Sequence, residues 1–260
     1  MKSLINSILG IFDVTLARKS SYKELLSKIN KLRDYELSEV IESKFLLEYF
    51  ENLKLSKSQL RQDLFVLSEL GFKREGFFVE FGATNGVDLS NSYLLETKFG
   101  WNGILAEPAK RWHGDLAQNR SVNIEKDCVW KMTGEKLRFN EVPDGEFSTL
   151  DKFSNSDRHK KSRKGGKKYE VNTISLNDLL TKYDAPKLID YLSIDTEGSE
   201  LDILKSFNFD NYKFKVITCE HNYTSAREGI YKLLTDNGYK RKFVEQSLWD
   251  DWYVINGNEL

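Results

Sequence analysis

Two acid-ended segments of this chain could do chemistry together. The run Phe77-Phe78-Val79-Glu80-Phe81-Gly82-Ala83-Thr84-Asn85-Gly86 is apolar, stops at an acid and then enters Gly-x-x-x-Gly. It reads as a buried strand entering a tight turn, where missing Cβ atoms let backbone approach a ligand closely. Further on, Gly103-Ile104-Leu105-Ala106-Glu107-Pro108 is a second apolar run ending in a carboxylate. A carboxylate at that place accepts hydrogen bonds from the hydroxyls of a ribose, as the acidic residue of a dinucleotide fold does. Glycine spacing then separates two nucleoside cofactors. The dinucleotide fingerprint, Gly-x-Gly-x-x-Gly, seats a pyrophosphate on a helix N-terminus. Here Gly82 and Gly86 are four apart, and Glu80 precedes the turn, where a diphosphate is repelled and an ammonium is welcome. S-adenosylmethionine has that ammonium, a ribose and no phosphate, so it is the expected cofactor. A dinucleotide and a purely structural glycine turn are the alternatives.

A second constellation follows. Ile189-Asp190-Tyr191-Leu192-Ser193-Ile194-Asp195-Thr196-Glu197-Gly198-Ser199-Glu200 is an apolar strand that ends in clustered carboxylates, and Lys215-Val216-Ile217-Thr218-Cys219 leads into Glu220-His221-Asn222. Asp195 and Glu220 thus end two successive strands, and open α/β sheets bind ligands at such ends. Neighbouring strands lie about 4.8 Å apart, so Asp195, Glu220 and His221 are expected to converge on a divalent cation. Oxygen ligands with one imidazole suit Mg²⁺ or Mn²⁺. The plainer alternative has Asp195 capping a helix while Glu220 and His221 bind backbone. Without a metal, His221 is the expected general base, its ordinary pKa of about 6.5 suiting the task. His113 and His159 are weaker candidates.

Residues 157–168, Asp-Arg-His-Lys-Lys-Ser-Arg-Lys-Gly-Gly-Lys-Lys, form a basic run without apolar anchors. It reads as a mobile loop, either simply solvated or a lid whose Lys160, Lys161, Arg163 and Lys164 meet an anionic acceptor. The rest of the chain is not basic: net charge is −1 and the isoelectric point about 6.4 over 260 residues. Nucleic acid and anionic membrane are therefore not expected partners.

These residues must be positioned by a core large enough for one α/β domain with an extension. Residues 20–55 are charged with apolar residues at helical spacing, predicting a helical prelude. A helix is predicted over 58–70, closed by Gly71. Strands are predicted over 77–81, 103–106, 122–124, 128–130, 188–194 and 214–219. Domain boundaries follow: an N-terminal helical extension, 1–56, then a catalytic domain, 57–260. Cys128 and Cys219 each lie at an apolar run, so buried thiols are expected rather than a disulfide or zinc cluster. The stretch 4–17 is too short to span a bilayer and poor as a secretory signal, predicting a cytoplasmic enzyme.

From about residue 59 to 254 the chain resembles the FkbM family of S-adenosylmethionine-dependent methyltransferases. The resemblance rests on Gln62-Asp63-Leu64-Phe65, Val79-Glu80-Phe81-Gly82-Ala83, Leu89-Ser90-Asn91-Ser92, Gly100-Trp101-Asn102-Gly103, Glu107-Pro108, Asn119-Arg120, Ser193 through Glu200 and Glu220-His221-Asn222, in that order. It implies the Rossmann-like class I methyltransferase fold, a mostly parallel central sheet with helices on both faces. By the same resemblance Glu80, Gly82, Ala83, Asn85 and Gly86 hold the methionine part, with Ser92 beside it. Glu107 and Pro108 meet the ribose, Asp127 and Cys128 flank the adenine, and Asp195 closes the site. Glu80 stands where such folds usually carry Asp, and His221 where metal-dependent relatives carry a second acid, which leaves the metal open but not the cofactor.

The implied reaction aligns an acceptor hydroxyl in line with the cofactor's methyl group and removes its proton, with Asp195, Glu197 and His221 as catalytic candidates. Family members often methylate sugars, polyketides or related hydroxyls. The expected acceptor is a phosphorylated or nucleotide-linked sugar of surface polysaccharide biosynthesis, an anionic small molecule. The alternatives are another small metabolite, a phosphoryl-type oxygen, or a non-catalytic binding protein on the same fold. A homodimer is the commonest assembly for such folds.

Overall fold

The computed structural model describes residues 19–257, so the stretch 4–17 lies outside the described residues. Two compact units divide between Val40 and Ile41. In the first, the expected prelude is a helix, α1 (Lys19–Val40), carrying the i,i+4 pairs Glu24 with Lys28 and Tyr35 with Glu39. The second unit takes in the short helix α2 (Leu46–Asn52) together with the expected catalytic domain.

After α2 come α3 (Gln62–Glu69), β1 (Phe77–Phe81), α4 (Tyr93–Phe99), β2 (Asn102–Ala106), α5 (His113–Asn119) and β3 (Asn123–Glu125). Then follow β4 (Cys128–Trp130), β5 (Lys136–Glu141), β6 (Thr149–Leu150), β7 (Lys167–Ser175) and α6 (Leu176–Lys182). The chain ends with β8 (Leu188–Ile194), α7 (Glu200–Ser206), β9 (Lys213–Glu220), α8 (Ala226–Asp236), β10 (Tyr239–Lys242), α9 (Val244–Ser247) and β11 (Asp250–Ile255). Gly71, at φ +63°, closes α3 as predicted.

The main sheet has the order β3-β2-β1-β8-β9-β11-β10. Its first five strands run parallel, and β11 inserts antiparallel between β9 and β10. This is the expected Rossmann-like α/β sheet. Its parallel strands are near-continuous apolar runs because both faces are covered: Phe78, Val79, Ile189 and Phe214 are fully buried. Successive residues of β11 show the two faces. Tyr253 joins the main apolar cluster with Leu179 of α6, Ile203 of α7 and Ile230 of α8. Trp252 turns the other way and stacks on Phe65 of α3 at 4.6 Å.

The register aligns Glu80 with Ser193 and Ser193 with Thr218, so the β1, β8 and β9 ends lie side by side. Strand order reverses at β1, which sits between β2 and β8, and the crevice above such a reversal is where α/β sheets bind ligands.

The structure corrects the reading at two places. Strand β4 leaves the main sheet for a second, four-stranded one of order β4-β7-β5-β6. Part of the basic segment belongs to it as well, since Lys167 and Lys168 begin β7 and pair with Glu141 and Asn140 of β5.

Candidate active site

A cavity opens at the carboxyl ends of these strands. It is walled by the turn after β1 (Gly82, Thr84), the ends of β2 (Glu107, Pro108) and β8 (Asp195 to Glu197), and Trp249 with Asp250 at the start of β11. Cys128, Val129, Phe139 and Leu150 of the second sheet add an apolar side. That side explains why β4 leaves the main sheet: its residues form a wall over the strand ends.

Gly82 is the tightest point. It has φ +73°, and a Cβ there would lie 2.2 Å from the carbonyl oxygen of Asp195. No side chain fits, so the turn after β1 packs backbone on backbone against the end of β8. Gly86, at φ +80°, serves a different purpose. Its Cβ would meet Arg120 Cγ at 2.6 Å and Leu116 Cδ1 at 2.7 Å, so it makes room for α5 rather than for a ligand.

Glu80 lines the cavity and is held by its own loop. It accepts from the Asn91 backbone N–H at 2.7 Å, from Ser90 Oγ at 3.0 Å and from Ser92 Oγ. Arg120 braces the same loop through Gly86 O, Ser90 Oγ and Ser92 Oγ. Glu107 is held differently. Thr84 N–H donates to one oxygen at 2.9 Å and Ala109 N–H to the other at 2.7 Å. Each carboxylate oxygen has two lone pairs, so acceptor capacity remains on the cavity side. Burial outweighs those two bonds and pushes the Glu107 carboxyl up to about 7. His113 Nε2 lies 2.9 Å from the Glu107 carbonyl oxygen, which gives this histidine a supporting place below the site.

At the ends of β8 and β9 the acids crowd. One oxygen each of Asp195, Glu197 and Glu220 lie within 4.8 Å of one another. Asp195 is an exposed residue, yet the protein packed around its carboxyl, and then the charge of Glu200, lift it to about 7. Glu220 and Glu197 are likewise raised well above the ordinary value, first by burial and next by the charge of Asp195. Such groups titrate as a set. The backbone is strained beside them, with Glu197 at φ +61°, Asn222 at +45° and Tyr223 at +56°. Non-glycine residues persist there only where surrounding structure holds them.

Part of the hold comes from the basic segment. Arg163 is buried, its fork engaging both oxygens of Asp157 at 2.8 and 2.9 Å, and Nη2 reaches Glu197 Oε2 at 2.6 Å. Thr149 Oγ1 donates to the Glu197 carbonyl at 3.0 Å. The segment expected to be a mobile loop, either solvated or a lid, is thus anchored by an arginine whose donors face protein. Lys160, Lys161 and Lys164 are exposed and do not line the cavity. His159 stacks on Phe147 at 4.3 Å.

His221 is not brought to the cluster. Its Nε2 faces the Asp250 carbonyl oxygen at 3.1 Å, and its Nδ1 accepts from Tyr223 N–H at 3.0 Å. Both ring nitrogens are spent on backbone, and burial lowers the imidazole's pKa. The third member of the acid cluster is Glu197 in its place. Of the expected cofactor residues, Glu80, Gly82, Glu107, Pro108, Cys128 and Asp195 line the cavity, whereas Ala83, Asn85, Gly86, Ser92 and Asp127 do not. Asn85 folds back on Val87 N–H and Asp88 N–H, and Ser92 on Glu80 and Arg120. Both cysteines are buried free thiols, with Cys128 pushed up to about 12 by burial.

Sequence reasoning missed the far wall. Gln62 Nε2 donates to Asp250 Oδ2 at 2.8 Å, both side chains are buried, and both line the cavity with Trp249. Burial raises the Asp250 carboxyl to about 8. The available signal was two adjacent acids opening a final apolar run, Asp250-Asp251-Trp252-Tyr253-Val254-Ile255.

Comparison with known proteins adds a family. The sequence pattern described as the methyltransferase FkbM domain matches residues 80–241. Solved structures with some likeness include the methyltransferase FkbM from Methylobacillus flagellatus KT, at 14% identity over 86% of this chain and 58% of that one, with a TM-score of 0.46. This chain therefore spans less than two thirds of that protein. Others are the precorrin-6y C5,15-methyltransferase from Geobacter metallireducens GS-15, at 13% identity over 74% of this chain and 85% of that one, TM-score 0.39, and the human methyltransferase 10 domain containing protein, at 13% over 75% and 81%, TM-score 0.40. No curated protein matches.

Proposed function

The chain belongs to the FkbM methyltransferase family, and on that premise we propose that it methylates a hydroxyl of a phosphorylated or nucleotide-linked sugar in surface polysaccharide biosynthesis. The cofactor is S-adenosylmethionine, which supplies the methyl group as an activated electrophile. The residues present fit it. Glu107 offers open acceptor sites to a ribose, and Cys128 with Val129 offers an apolar slot to a base, beside a Gly82 turn that packs backbone on backbone against the end of β8.

The observation that carries the O-methylation reading is the position of Asp195 beside the Gly82 turn, with Glu197 next to it. A hydroxyl must lose its proton as it attacks, and a carboxyl held near 7 by its surroundings suits proton acceptance at neutral pH. Asp195 takes the proton in this reading, and Glu197, fixed by Arg163, orients the acceptor. The cavity lining carries carboxylates and, among the described residues, no lysine, arginine or histidine. The sugar ring therefore enters, while its phosphate stays outside near Arg158, Lys160, Lys161 and Lys164. Arg158 lies 5.7 Å from the ring of Trp249, so the basic segment borders the cavity wall.

A divalent cation, Mg²⁺ or Mn²⁺, is a companion reading favoured by the convergence of Asp195, Glu197 and Glu220, three hard oxygen donors. Bound there, it would lower the acceptor hydroxyl's pKa. Calorimetric titration with S-adenosylmethionine, followed by a methyl-release screen of nucleotide sugars with Mn²⁺, Mg²⁺ or chelator, tests both readings. Turnover on a nucleotide sugar supports the acceptor, and loss under chelator supports the cation. Absence of cofactor binding under every condition would remove the premise, and turnover confined to uncharged metabolites would replace the acceptor.

A further inference from the structure

The far wall of the cavity carries an acid that the transfer step does not use. Asp250 and Gln62 both line the cavity and are 5% and 4% exposed. Gln62 is fixed at both ends of its amide: Oε1 accepts from Leu60 N–H at 2.9 Å, which turns Nε2 towards Asp250 Oδ2 at 2.8 Å. Among the described residues no donor bonds the other oxygen, Oδ1, and Trp252 Nε1 lies near the carboxyl without hydrogen-bonding it. Nor is Oδ1 one of the polar atoms sealed from solvent without a partner. It therefore opens on the cavity that its residue lines. A buried carboxyl with one oxygen left to a cavity is costly unless something there bonds it.

Position says which ligand it meets. Asp250 pairs with Glu220 across β11 and β9, and the β8 pairing ends at Ile194 with Cys219, which puts Asp195 beside Glu220. Paired residues on neighbouring strands share a face of the sheet, so Asp195, Glu220 and Asp250 form a row. Two strand spacings, roughly 10 Å, separate its ends. One sugar ring with a hydroxyl at each end spans that row. The cofactor is placed elsewhere: Glu107 ends β2, and β1, β8 and β9 all lie between β2 and β11. A nucleoside with its ribose at Glu107 and its methyl group beside Asp195 leaves β11 to the acceptor. A carboxyl serves a hydroxyl in either state, accepting when ionised and donating when protonated.

We propose that Asp250 Oδ1 hydrogen-bonds a second hydroxyl of the acceptor sugar, one that is not methylated, and that Gln62 is the positioning residue that aims it. The pair is the specificity determinant that fixes which hydroxyl reaches Asp195. The proposal rests on the sugar O-methyltransferase reading and adds a requirement to it: an acceptor ring with two hydroxyls, one at Asp195 and one at Asp250.

The test is methyl release from S-adenosylmethionine by the full chain, with UDP-glucose, UDP-galactose and UDP-N-acetylglucosamine and the monodeoxy forms of each. For the sugar that wild-type protein turns over best, one monodeoxy form that still carries the methylated hydroxyl should lose about a hundredfold or more in kcat/KM, since a buried site built for a hydroxyl rejects the analogue lacking it. Asp250→Ala should lower kcat/KM for the parent sugar by about a hundredfold yet leave that deoxy form within about twofold, the signature of a coupled pair. Asp250→Asn, which keeps a polar group towards the hydroxyl, should retain more activity than Asp250→Ala. Gln62→Met should raise KM for the parent sugar about tenfold with kcat nearly kept, and leave the deoxy form unchanged. Calorimetry with S-adenosylhomocysteine reports that each variant is folded. The assignment is overturned if Asp250→Ala lowers the parent and every deoxy form alike, if it lowers none, or if Asp250→Asn loses as much as Asp250→Ala. Should Asp250→Ala not fold, a wild-type enzyme indifferent to the loss of every hydroxyl but the methylated one overturns it alone. Wild-type protein that binds S-adenosylhomocysteine but turns over none of these sugars would instead remove the acceptor reading and this assignment with it, and protein that does not bind would remove the methyltransferase reading.

Discussion

The two halves of the site handle their carboxylates in opposite ways. At the ends of β1 and β2, Glu80 and Glu107 each receive directed hydrogen bonds from their own loops, and the glycine turn between them packs on backbone. At the ends of β8 and β9, Asp195, Glu197 and Glu220 lie against one another, with Arg163 as the cation bound to Glu197. The first half is a preorganised cradle, set before any ligand arrives. The second holds charge in tension, which suits proton transfer or a cation but costs stability.

The comparison is broken most sharply at Gly82. Gly82→Ala forces a Cβ to 2.2 Å from Asp195 O at a positive φ, and should destabilise by on the order of 3 kcal/mol or abolish folding. Thermal denaturation reads this, and an unchanged midpoint would refute the cradle. Next is Arg163→Ala, which leaves Asp157 and Glu197 buried without their partner and should cost about 3–5 kcal/mol. If denaturant titration finds it neutral, the segment is the mobile loop that its composition suggests. Asp195→Asn should lower turnover by about a hundredfold or more, with cofactor affinity nearly kept, since proton acceptance is what it loses. Equal loss of affinity would move Asp195 into the cradle's half.

A pH series sharpens the contrast. Glu107 and Asp250 have folded-state pKa values near 7 and 8, above their ordinary 4.5 and 3.8. Between about pH 4 and 8 the unfolded chain therefore binds fewer protons than the folded one, and stability falls as pH rises. The melting temperature of ligand-free protein should decline from pH 5 to 8.5, and Asp250→Asn should flatten the slope. The smallest effect is expected from neutralising Lys160, Lys161 and Lys164, exposed side chains that should change stability by less than about 0.5 kcal/mol. An acceptor KM raised about threefold for phosphorylated sugars, but not for neutral ones, would place the phosphate at this segment.

Local pattern determined the cradle. Apolar runs ending in Glu80, Glu107 and Asp195, with glycine spacing between, located strands β1, β2, β8 and β9 to within a residue or two of their ends. Continuous burial of parallel strands writes itself into consecutive positions. Tertiary structure alone decided the rest. Strand β7 opens with charged, exposed lysines because its first residues pair at the surface, so composition resembled a loop. Arg163 and Lys164 are neighbours of like charge, and only packing against Asp157 and Glu197 sends one inward and leaves the other in water. His221 carries the right chemistry, but the ring follows the hydrogen bonds that Asp250 and Tyr223 offer it. Gln62 and Asp250 meet across 188 positions of sequence, a pairing that no local period records because the sheet order, not the chain order, brings them together.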